Sequence, residues 1–198
     1  MGGTVTLWWR VRPGEQTPRM AVHVRRATLD DLDALIAMRV EVAREGIWIG
    51  AELPLDEAGD RAKQAATIAD GETAVLFVAT IDEDANLVGS LFIGGPVGVA
   101  DVGMNVRDGF RGQGIGAALM EAGIDWARDH GMHKVTLQHW PWNERAHALY
   151  ERFGFVEEGY LRRQWRRKDG SLWDAVMMGL VLDHESPGHD IRQAEPPR

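Results

Sequence analysis

Apolar and polar positions alternate over Val22 to Ala27, which predicts a short strand. Thr28 then reads as an N-cap, with Asp31 three residues on as a variant of the capping box. Leu32, Leu35, Ile36 and Val42 recur at helical spacing until Gly46 offers a stop. A second, weaker helical pattern runs from Leu55 to Ala69 and ends near Gly71. Thr73 to Ile81 is rich in β-branched and apolar residues and predicts a strand; Asp82 to Asn86 is a turn, and Leu87 to Ile93 returns as the other half of a hairpin. Val97 to Val106 extends that sheet and leads into the glycine-rich stretch Arg107 to Gly116. In the strong helix that follows, Ile115, Leu119, Ala122 and Trp126 share a face and Gly131 signals the end. Lys134 to Trp140 is a strand with Val135, Leu137 and His139 on one side, ended by Pro141. Asn143 reads as the N-cap of a helix carrying Ala146, Leu149, Tyr150 and Phe153, closed by Gly154. Phe155 to Arg167 and Ser171 to Leu182 are two strands joined at Lys168-Asp169-Gly170. The order predicts an α/β (α+β) layer structure: a mixed, mostly antiparallel central sheet of about seven strands flanked by four helices.

Composition narrows the chemistry. The 198 residues suit one domain, expected over 21–183, with an N-terminal extension (1–20) and a proline-containing C-terminal tail (184–198). No stretch approaches the ~18 apolar residues of a membrane span. The absence of cysteine excludes disulfides, thiolate zinc sites and cysteine nucleophiles, and suits the cytoplasm. A net charge of −8 makes nucleic acid an unexpected partner and favours cationic ones such as amines. The basic hairpin Arg162, Arg163, Arg166, Arg167 and Lys168 accordingly reads as a solvated rim or a contact within a homodimer. His130, His133, His139 and His147 follow no metal-ligand spacing, so no metal is expected.

Arg111-Gly112-Gln113-Gly114-Ile115-Gly116-Ala117 carries the most information. Between a strand and a helix, residues without side chains let an anion approach the backbone, and the unbonded amides and dipole of the helix start attract it. A tight turn alone would use the same glycines. The segment lacks the Gly-Lys-Ser/Thr ending of a nucleotide P-loop. Gly112, Gly114 and Ala117 match a dinucleotide fingerprint, but Leu137, Gln138 and His139 stand where its ribose-binding acid belongs.

Two further patterns bear on this. Met104-Asn105-Val106 precedes Arg111, Gly114 and Gly116 in the arrangement apolar-x-Val followed by Arg/Gln-x-x-Gly-x-Gly/Ala. Asn143, Ala146, Leu149 and Tyr150, then Gly154-Phe155, follow Asn-x-x-Ala-x-x-Leu-Tyr and Gly-Phe. With these motifs the chain resembles the GNAT superfamily of N-acetyltransferases over about Val22 to Asp183; Asp108 departs from the proline often found there. The resemblance implies a GNAT fold and acetyl-CoA as cosubstrate. It implies that the amides of Gly112, Gln113, Gly114, Ile115 and Gly116 cradle the pyrophosphate beside Arg111. Met104, Asn105 and Val106 would pair with the pantetheine arm as an added strand would, where two strands splay apart. Asn143 would bond that arm, and Tyr150 would protonate the departing thiolate.

The acceptor amine must lose a proton before attack. Asp101, where family members often carry an acidic base, His139, with the better intrinsic pKa, and a water chain all remain open. Trp48, Trp140 and Trp142 either pack or line an acceptor pocket. The reading that follows is an acetyl-CoA-dependent N-acetyltransferase in which a small amine, amino acid or protein N-terminus attacks directly in a ternary complex. A non-catalytic acyl-CoA-binding module on the same fold is the alternative.

Overall fold

A computed structural model of the chain describes residues 21–81, 86–96 and 98–183, together with the backbone of 5–7. The expected turn at 82–86 and tail at 184–198 lie largely outside the described residues, as does Val97. The strands are β1 (Val5–Leu7), β2 (Val22–Arg26), β3 (Ala74–Ile81), β4 (Gly89–Gly94), β5 (Val99–Val106), β6 (Lys134–His139), β7 (Val156–Arg166) and β8 (Leu172–Val181). The helices are α1 (Leu32–Arg44), α2 (Glu57–Asp70), α3 (Ile115–Asp129) and α4 (Glu144–Arg152), with a 3-10 turn at Leu29–Asp31 before α1. All seven expected strands and four helices are present. The addition is β1, three residues of the extension that pair antiparallel with β2 and cover its otherwise open edge.

The sheet runs β1-β2-β3-β4-β5-β6-β8-β7, antiparallel except where β5 meets β6. Its two faces explain the near-continuous apolar reading of β3. Val75, Phe77 and Ala79 turn toward the layer that includes Leu119, Ile124 and Trp126 of α3. Leu76 and Val78 turn toward Leu35 and Met38 of α1. The capping box at Thr28 and Asp31 forms as the sequence suggests, and Asp31 additionally accepts Nη1 and Nη2 of Arg25, both at 2.7 Å. α2 differs in kind: none of its residues is buried. Among the described residues no helix is long and apolar enough to cross a membrane.

Candidate active site

β5 and β6 pair in parallel only from Val99–Lys134 to Val102–Leu137. Beyond that point β5 keeps its antiparallel partner β4, where Gly89–Val106 is the last pair. Gln138 and His139 instead pair with Met177 and Val176 of β8. The two strands therefore diverge, and from Gly103 to Val106 the β6 side of β5 has no strand partner. Two cavities meet in this gap. Their common walls include Trp48, Met104, Asn105, Asn143 and Tyr150.

The first cavity, about 770 Å³, lies over the glycine segment. Gly112 and Gly114 have φ of 78° and 87°, conformations open to glycine and strained for other residues, and these turn the chain into α3. The first bond of that helix is Ala118 N–H to Gly114 O at 3.0 Å. Among the described residues, the amides of 112–117 meet no backbone acceptor, and Gly112, Gly114, Gly116 and Ala117 line the cavity with the positive end of α3 behind them. A Cβ placed on Gly112 would meet only Arg145 Nη1, at 3.9 Å. Arg145 and Arg152 of α4 line this cavity and add positive charge that sequence reading passed over. Their positions, two and nine residues after the cap Asn143, are one signal that would have suggested it.

Three expected residues act differently from a bare anion contact. Arg111 lines the cavity, but its guanidinium is bidentate to Glu45 at 2.6 and 2.5 Å, donates from Nε to Val106 O at 2.9 Å, and lies 5.2 Å from the Trp48 ring centre. It is a strut between the loop and the end of α1, and this pairing holds the Glu45 carboxyl below its usual range. Gln113 braces the loop through Nε2 to Gly109 O at 2.7 Å. Ile115 sends its side chain into the core, 1% exposed, and does not line the cavity.

The second cavity, about 620 Å³, lies on the α1–α2 face. Its roof is polar: Asp60, Lys63, Gln64 and Thr67 fall at i, i+3, i+4 and i+7 on α2, beside Arg39 of α1. Arg39 Nε donates to Asp60 Oδ2 at 2.8 Å, and Gln64 Oε1 is buried without a partner among the described residues. Its floor is apolar and aromatic, with Leu76, Phe92, Trp48 and Trp140. The polar stripe of α2 was legible as a spacing, yet the sequence reading saw only a weak helix. Trp140 and Trp142 stack at 5.9 Å, and both meet Trp173 edge-on at 5.2 and 5.0 Å, so these rings are chiefly a packed cluster.

The basic hairpin is corrected at Arg167. Rather than forming a solvated rim, Arg167 is 5% exposed, with its guanidinium 4.2 Å from the Trp173 ring centre and its Nε 3.3 Å from Glu52. It donates to the carbonyls of Gly46, Ile49 and Gly50, and Lys168 Nζ reaches those of Glu52 and Pro54. The segment between α1 and α2 is thereby fastened over the second cavity.

At the junction, Asn143 caps α4 by accepting Ala146 N–H at 3.2 Å, which leaves its amide NH₂ toward the cavities. Asn105 Oδ1 is buried and unpartnered among the described residues. Tyr150 is buried, and the loss of solvent pushes its phenol up to about 12. His139 borders the second cavity, and its ring centre lies 5.9 Å from that of Tyr150. Burial holds His139 below its ordinary range, against an opposing hydrogen bond to the Trp140 carbonyl. Asp101 is not brought to this group. It lines neither cavity and sits beside Thr136, whose Oγ1 is 3.4 Å from Oδ1; partial loss of solvent raises its carboxyl.

Comparison with known proteins follows the same lines. The sequence model described as Acetyltransferase (GNAT) family matches residues 42–155. The L-methionine sulfoximine/L-methionine sulfone acetyltransferase of Pseudomonas paraeruginosa is 29% identical over 170 residues, covering 83% of this chain and 96% of that protein. The solved ribosomal-protein-alanine N-acetyltransferase from Brucella melitensis superposes with a TM-score of 0.71 at 26% identity, over 80% of this chain and 99% of its own. A GNAT superfamily phosphinothricin acetyltransferase from Sinorhizobium meliloti, in complex with AcCoA, gives 0.71 at 19% identity over 81% and 88%, a likeness of fold.

Proposed function

The chain belongs to the GNAT acetyltransferase family, and on that premise we propose that it transfers the acetyl group of acetyl-CoA to the primary amine of a small, amino-acid-like acceptor. One observation carries this reading: the glycine-loop cavity and the polar-roofed cavity meet at Tyr150, Asn143 and Asn105. The residues present fit the cosubstrate. Unbonded amides at 112–117 suit a diphosphate, the open edge of β5 over Met104 to Val106 suits an amide-bearing arm, and the orphaned Asn105 Oδ1 seeks a donor there. Bound acetyl-CoA supplies an activated thioester.

The chain's own groups do the rest. The unpaired donors of β5 stabilise charge on a carbonyl oxygen held in the gap. Tyr150 keeps its proton at neutral pH and gives it to sulfur; the desolvation that raises the phenol would raise a thiol in the same place, so the transfer stays balanced. Of the two side-chain bases considered, His139 borders the acceptor cavity and Asp101 does not, which supports His139. Lys63 and Arg39 suit an acceptor carboxylate, while Trp48 and Phe92 suit its apolar part. The acetyltransferase of L-methionine sulfoximine and sulfone, 29% identical to this chain, points the same way.

Thiol release from acetyl-CoA across a panel of amines tests the reading. Amino acids should turn over faster than their decarboxylated analogues. Tyr150→Phe should lower kcat by about 10²-fold while acetyl-CoA binding, followed by calorimetry, changes little. Tight acetyl-CoA binding with no turnover on any amine would instead identify a non-catalytic binding module.

A further inference from the structure

His139, at the end of β6, is 7% exposed and places Nδ1 2.9 Å from the Trp140 carbonyl oxygen. A carbonyl only accepts, so Nδ1 carries the hydrogen and the neutral ring keeps its lone pair on Nε2. That nitrogen faces His147 Nδ1 at 3.2 Å, with the ring centres 5.2 Å apart. His147 in turn places Nε2 3.4 Å from Glu151 Oε1, one helical turn further along α4. A carboxylate on that side favours the tautomer with the hydrogen on Nε2, which leaves the lone pair on Nδ1. The Trp140 carbonyl thus fixes one tautomer and the charge of Glu151 favours the other, and their lone pairs point at each other. Such a gap is satisfied by one proton, and one only.

Exposure gives the gap a direction. The His147 side chain is 32% exposed and that of Glu151 61%, so three groups lead from the buried end to solvent. His147 lines neither cavity. The titratable and charged groups facing His139 are His147 and Tyr150 from α4, with Glu151 behind, and Glu157 from β7; β8 opposes it with Val176.

We propose that His139 and His147 form a single-proton receiver, oriented by Glu151, that takes up the proton the acceptor amine sheds and delivers it to solvent along α4. This rests on the acetyltransferase reading above. When an alkylammonium becomes an N-acetyl amide, the nitrogen gains one bond to carbon and loses two protons. One accounts for the S–H of the released thiol, by way of Tyr150. The other leaves, and without an outlet it would stay in a buried site beside the next acceptor. Burial discourages charge on His139 itself, and the way out leads through the more exposed His147 toward Glu151. His139 is the base in this scheme; His147 and Glu151 are positioning residues.

The test pairs ¹⁵N-histidine NMR of the intact, ligand-free chain with the pH dependence of kcat/KM. The NMR should show His139 as the Nδ1–H tautomer and the two rings sharing one titration. Glu151→Gln should move that titration, and the rising limb of the pH profile, toward lower pH by about half a unit or more, because the carboxylate that stabilises the shared proton is gone. His147→Gln should lower kcat roughly tenfold with the KM for acetyl-CoA unchanged, and leave His139 to titrate alone. Independent titration of the rings, or a pH profile that Glu151→Gln does not move in an enzyme that still turns over, overturns the proposal and leaves the acetyltransferase reading intact. A shared titration in a wild-type chain that acetylates no amine defeats both.

Discussion

Arg167 occupies a place that a charged side chain holds only when its surroundings answer it: the face of Trp173, the carboxylate of Glu52 and three carbonyls of the 46–50 segment. Arg167→Met keeps much of the stem and removes the charge, leaving the carbonyls of Gly46, Ile49 and Gly50 without this donor and Glu52 with only the Lys168 amide. It should cost about 3 kcal/mol, read as a lower denaturation midpoint with unchanged m. Asp31, immediately before α1, works at the same scale. Its carboxyl is lowered chiefly by the hydrogen bonds from Arg25 and secondarily by Thr28, against a cost of desolvation. A depressed acid binds fewer protons folded than unfolded, so its stabilisation is present above the unfolded value near 4 and disappears as pH falls through the folded one. With Arg25 partly in solvent, Asp31→Asn should destabilise by about 1 kcal/mol at pH 7. The gap between variant and wild type should close in unfolding curves taken below about pH 4.

At the scale of elements, three features share one site: the start of α3, the cap of α4 and the divergent edge of β5. The start of α3 depends on Gly112 and Gly114 at positive φ, which line the first cavity. Gly112→Ala has room for its methyl group, with Arg145 Nη1 the nearest atom at 3.9 Å, but not the backbone preference. It should fold with a loss of about 1 kcal/mol. If the loop holds the diphosphate, calorimetry should show acetyl-CoA binding weakened about tenfold, a larger change than the stability loss alone would give. α2 contributes differently. With no residue fully buried and a polar stripe over the second cavity, it is held by Ile68 packed against the Leu35–Met38 core and by its ion pairs to α1, Arg39–Asp60 and Arg61–Asp33.

Across the whole molecule, the two cavities meet where β5 and β6 diverge. β1 sits at the far edge from that gap, paired through three residues with β2. A chain beginning at Met20 should therefore keep acetyl-CoA binding within about twofold and lose no more than about 5 °C in Tm, measured by calorimetry and thermal unfolding.

Periodicity and turn residues determined nearly every element, because each signal is local: the stripe of Leu119 and Trp126, the cap at Asn143, the glycines after each helix. The motif residues at 104–116 and 143–155 likewise announced the family, since each motif lies within a few residues of chain. What lay beyond sequence was pairing at a distance. Arg111 was spent on Glu45, Arg167 was buried under Trp173, Asp101 fell outside the cavities, and His139 met His147 and Glu151. A side chain's partners are set by which surfaces the fold brings together, and charge, tautomer and exposure follow from those partners; only the tertiary structure could decide them.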